Sequence, residues 1–110
     1  MAVQYLFNGP VSSGDISPVL SGRDISQVSL ECSAVGKSGA AVSAVVVFEG
    51  SNTGNDWVPI AELKPSGTGR GTDGGMATTN WQSMRARVQS VSADTQIICA
   101  MTTRSFPYGS

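Results

Sequence analysis

The sequence predicts an all-β protein, a single antiparallel β-sandwich, jelly-roll-like or immunoglobulin-like, of roughly six to eight short strands with extended termini. Three observations predict it. Val, Ile, Phe, Tyr and Trp gather into short runs that alternate apolar with polar residues. Turn-forming residues, including 13 glycines among 110 residues, separate the runs. Helix formers never collect into a 3.6-residue period. A chain of 110 residues is one domain's worth, long enough to bury about two-thirds of its unfolded surface. The domain is therefore expected to span residues 1–110, with 1–10 and 102–110 as arms.

The chain opens with alternating residues, then breaks at Asn8-Gly9-Pro10, as a short strand or an extended arm would. Residues 12–15 are loop. Ile16-Ser17-Pro18-Val19-Leu20 fits an edge strand, where a proline's missing N–H is harmless. Residues 21–24 turn the chain. From Ile25 to Ser33, Val28, Leu30 and Cys32 alternate with Ser29, Glu31 and Ser33, the period of a half-buried strand. Gly36-Lys37-Ser38-Gly39 is a turn.

The central stretch is residues 42–63, VSAVVVFEGSNTGNDWVPIAEL. Branching at Cβ favours extended backbone in both halves. The break between them, residues 50–56, holds Gly, Asn and Asp that accept turn geometry, so the stretch reads as a β-hairpin. The first strand is apolar on both faces, as in a central strand or one that meets another subunit. Residues 64–75 are glycine-rich without an apolar anchor. The 64–80 segment is therefore expected to be a long loop, either mobile or ordered by a partner.

Beyond Trp81, Met84, Ala86 and Val88 share one face and Arg85, Arg87 and Gln89 the other. A turn at Ser92-Ala93-Asp94 leads to a final strand, with Ile98 and Ala100 opposing Ile97, Cys99 and Met101. The expected core is Val46, Phe48, Ile60, Met84, Val88 and Ile98. The tail carries Phe106 and Tyr108.

Composition excludes several functions. Charged residues are only 14% and the net charge is −1, so there is no basic field to hold nucleic acid. The longest apolar run falls short of a membrane span. The N-terminus lacks the basic start and apolar run of a secretion signal, which points to synthesis in a cytoplasm. In that compartment Cys32 and Cys99 read as buried thiols rather than a disulfide.

There is no histidine, so the commonest general base and metal ligand is missing, and a Ser or Cys nucleophile lacks an imidazole. Glu31, Glu49 and Glu62 could in principle converge as a carboxylate pair, but acidic residues at alternate strand positions usually face water. Gly36-Lys37-Ser38 lacks the first glycine and the following helix of a phosphate loop. Gly69-x-Gly71-x-x-Gly74 opens no helix either. Asn52, Asn55, Asp56 and Asp73 could ligate calcium, although Asn and Asp at such positions more often set turn geometry. No enzyme activity, metal or cofactor is expected. Arg85 and Arg87, with Trp81 in phase, are the best interaction candidates, because Arg and Trp are frequent interface anchors. Tyr5, Phe7, Phe106 and Tyr108 join them as assembly contacts near the termini.

Phe48-Glu49-Gly50-Ser51-Asn52 with Asp56-Trp57, then Trp81 with Met84-Arg85-Ala86-Arg87-Val88, then a turn and a last apolar strand, resembles small β-sandwich virion proteins of tailed bacteriophages. The resemblance covers about residues 42–101 and implies a structural role. The expected role is a capsid decoration or cement protein on the virion surface, made in the host cytoplasm. Its expected partners are the major capsid protein or other virion proteins and further copies of itself, with no nucleic acid and no membrane. A neck or tail component, or a carbohydrate- or receptor-binding module built on Trp57 and Trp81, is the alternative.

Overall fold

The computed structural model describes residues 2–21, 27–37, 39–78 and 81–104. Among them are nine strands and no helix: β1 Ala2–Pro10, β2 Leu20–Ser21, β3 Gln27–Gly36, β4 Ala41–Ser51, β5 Val58–Leu63, β6 Ser66–Thr68, β7 Arg70–Thr78, β8 Ser83–Val91 and β9 Thr95–Arg104. Two antiparallel sheets have the orders β1-β9-β3-β7 and β2-β8-β4-β5, and β6 pairs with the start of β4. With β6 set aside, the remaining strands numbered in chain order read 1-8-3-6 and 2-7-4-5. That is the order of a jelly roll, and it resolves the two sandwich types left open by the sequence.

The core lies between the sheets. Val28, Leu30, Cys32, Ala34, Ile97, Cys99 and Met101 point inward from one sheet, and Val42, Ala44, Val46, Phe48, Met84, Ala86 and Val88 from the other. Each set is an i, i+2 series, the periodicity of a strand with one buried face. The apolar doubling on β4 has a plain cause, since β4 is central, flanked by β8 and β5. Val47 and Glu49, on its outer face, are buried as well. The 42–63 hairpin forms as expected. Ser51 Oγ accepts from the Thr53 and Gly54 amides, and Thr53 Oγ1 from those of Asn55 and Asp56.

Four expectations are corrected. First, Ile98 lies on the outer face and is only partly buried, while Ile97 is fully buried; Ile60 also packs only at the margin of the core. The last strand is apolar on both sides, so its composition did not fix its phase.

Second, the segment 64–80 is not a long loop, because β6 and β7 occupy most of it. A side chain added at Gly67 or Gly71 would strike the backbone of Arg70 or Ser66, so the glycines let the two strands lie against each other. Gly75 leaves room for Leu63 to cover it, and Asp73 accepts from the Lys64 amide at 2.8 Å. Residues 64–78 are ordered by contacts within the chain itself.

Third, residues 2–10 are not an arm but the edge strand β1, paired along its length with β9, and 102–104 continue β9. Fourth, 16–20 forms only one bridge, Ile16 to Arg87, before the two-residue β2. Ser17 nonetheless ties this segment to β8, donating its amide to Ala86 O and accepting the Ala86 amide on Oγ. The expected turn at 22–24, Ile25, Asn80 and the aromatic tail at Phe106 and Tyr108 lie outside the described residues.

Candidate interaction site

The outer face of the β8–β4–β5 sheet holds the one ion-pair cluster with a buried member among the described residues. Arg85 is directly opposite Glu49 in the β4–β8 ladder, and Arg87 is opposite Val47. Both arginines reach the same carboxylate. Arg85 Nε donates to Glu49 Oε1 at 3.0 Å, and Arg87 Nε donates to Oε2 at 3.2 Å. The Glu49 side chain is 6% exposed, against 19% for Arg85 and 32% for Arg87. A buried carboxylate therefore carries two partly solvated guanidinium groups, and the cluster has one net positive charge. The planar forks of Arg85 and Arg87 suit carboxylate or amide oxygens of a partner.

The aromatic beside the arginines is Trp57, not Trp81. Arg85 Cζ sits 4.1 Å from the centroid of the Trp57 ring, within cation–π range. Trp81 instead lies flat on Gly50, where an added Cβ would meet its ring, and it packs against the core. Alternation along β8 placed both arginines correctly. The Trp57 stack depends on how the 52–57 turn folds back, which periodicity does not report. A lone Glu49 inside a run of apolar residues was the available signal for the buried pairing.

Of the terminal candidates, Tyr5 is exposed on the outer face of the other sheet, and Phe7 packs partly against the core. The three glutamates do not converge: Glu31 faces outward from the opposite sheet, Glu49 is held by the arginines, and Glu62 pairs with Lys64 at 3.1 Å. The loop oxygens are engaged locally. Asn52 Oδ1 accepts from the Gln82 amide, and the Asp73 carboxylate from the Lys64 and Gly74 amides. A hollow of about 370 Å³ at one end of the sandwich is lined by Val11, Val35, Lys37, Asp94 and Thr95 among others. Among the described residues that line it, Lys37 and Asp94 are the charged ones.

No protein-family profile matches the chain, and no curated protein does. Among solved structures, the crystal structure of SPBc2 prophage-derived protein YomS is similar, with a TM-score of 0.62 at 9% sequence identity. The match covers 94% of this chain and 92% of that one. The two chains share a fold over nearly their whole lengths.

Proposed function

We propose that this chain is a structural protein of a phage particle, and within the particle a decoration or cement protein that binds the assembled head and stiffens it. One observation carries the reading: the likeness to a prophage-derived protein takes in almost all of both chains, so the shared unit is the whole small sandwich. Jelly rolls recur in viral capsid and lectin domains, and fold alone does not select between those uses. The state of the tryptophans favours the structural use. A sugar platform needs an open aromatic face with polar groups converging on it, but Trp57 is stacked under Arg85 and Trp81 lies on Gly50. On this reading Arg85 and Arg87 meet a carboxylate-bearing surface of the major capsid protein.

The test is quantitative mass spectrometry of purified particles from a culture carrying the gene, with immunogold labelling to locate the protein. Many copies on the head surface are expected. A few copies at the neck or tail would move it to a connector or tail role, and absence from particles would end the virion reading.

A further inference from the structure

A sheet edge exposes a row of unpaired backbone groups, and proteins usually blunt such edges with charge, proline, shortness or cover. Three of the four edges here are blunted. β2 is two residues long. β5 carries Pro59, Glu62 and the Lys64 pair beyond it. β7 is covered by β6 and tied to residue 64 through Asp73.

β1 has little of this protection. It is nine residues long, its only proline is the last of them, and residues 1–10 contain no charged side chain. Among the described residues it pairs only with β9. A bulge at Leu6 divides it, leaving Ala2–Tyr5 as the regular stretch. Within that stretch Val3 is 63% exposed and Tyr5 57%. They stand beside Thr102 and Ala100 on a sheet face whose other exposed apolar residue is Met76.

We infer that β1 is the seam between two copies of this chain, paired antiparallel about a two-fold axis into one continuous eight-stranded sheet. An uncharged strand gives a charged partner nothing to select, whereas antiparallel backbone is complementary to itself. Side chains opposite each other in an antiparallel ladder lie on the same face. Only one register keeps all four exposed apolar side chains paired across the join. Gln4 then faces Gln4 of the second copy, and each Val3 faces the other copy's Tyr5. Four residues a side make a small contact, below the roughly 800 Å² per partner of a standard interface. Association is therefore concentration-dependent in solution and is favoured wherever copies are held side by side. The inference stands without the virion reading.

The experiment is sedimentation of the full chain from micromolar to millimolar concentration, beside Val3→Lys and Tyr5→Lys, with circular dichroism to check that each variant folds. Like charges across the seam should weaken dimerisation by about tenfold or more. Gln4→Cys, treated with a short bismaleimide that adds one thiol at each end, should yield covalent dimers. Ser12→Cys should not, and the wild type with its two buried thiols is the blank. A wild type that is monomeric at every concentration overturns the inference, as do lysine variants that dimerise like wild type or a Ser12→Cys variant that crosslinks as well as Gln4→Cys. If the chain is monomeric but another protein protects β1 in particles, the edge belongs to that protein and the second copy is wrong.

Discussion

Cys32 stands directly opposite Cys99 in the ladder between β3 and β9, and both thiols are buried and free. Neither should react with a thiol reagent in the native protein, and both should react once it is unfolded. The pair also couples stability to pH. Donation of the Cys32 S–H to Cys99, with burial, pushes the Cys32 thiol far above its ordinary value, and the same hydrogen bond draws Cys99 down. The native state thus keeps the Cys32 proton when the unfolded chain has lost it, so stability falls as pH rises past about 9, at up to about 1.4 kcal/mol per pH unit. Cys99 gives the opposite slope below that pH, where the native pair releases its first proton before the unfolded chain does. Urea melts of wild type and a Cys32→Ala/Cys99→Ala double variant measure this. The stability difference should peak near the ordinary thiol value, and a flat difference would rule the coupling out.

Glu49→Ala should destabilise the domain by about 2–4 kcal/mol, at or somewhat below the usual cost of breaking a buried pair because both arginines keep some solvent. Arg87→Ala, the more exposed partner, should cost about 1 kcal/mol or less. Equal losses in the two denaturation curves would mean that Glu49 is not the centre of the cluster.

The phase of β9 gives a paired prediction. Ile97→Ala empties a fully buried site and should cost about 2–5 kcal/mol, as should Phe48→Ala at about 3–5. Ile98→Ala, on the outer face, should cost about 1 kcal/mol or less. Thermal melts of the three variants would reverse the face assignment if Ile98 proved the costlier isoleucine.

Gly71→Ala puts a methyl group onto the backbone of Ser66. Backbone cannot swing aside as a side-chain tip can, so β6 must part from β7, at about 1–3 kcal/mol. Hydrogen exchange should then rise in 66–77 and stay unchanged in β8. An unchanged exchange pattern would mean the two strands do not pack as closely as described.

The legible elements were those in which burial and polarity alternate. Val28 to Ala34 and Met84 to Val88 show their inner faces letter by letter, and the 50–56 turn announces itself through Gly, Asn and Asp. β7 was illegible because its inner positions are Gly71, Asp73, Gly75 and Ala77. The apolar cover there is supplied by Leu63 from another strand, so nothing local records it. Arg85 and Arg87 were legible as neighbours on one face, but their shared carboxylate was not. That Glu49 reaches both depends on strand register, which hydrophobic pattern alone leaves open in a strand apolar on both faces.

Among the described residues β1 pairs only with β9, a feature with a kinetic side. During synthesis at about 5–20 residues per second, β1 waits roughly 5–20 s for β9 to emerge. For that interval an uncharged, aromatic-bearing strand has no native neighbour to shield it. Completion of the β1-β9-β3-β7 sheet must await β9, and pairing across so long a stretch of chain makes it slow. Many ribosomes on one message would thus hold β1 segments of neighbouring nascent chains unpaired at the same moment, and chaperone capture of this segment would set the yield of folded protein.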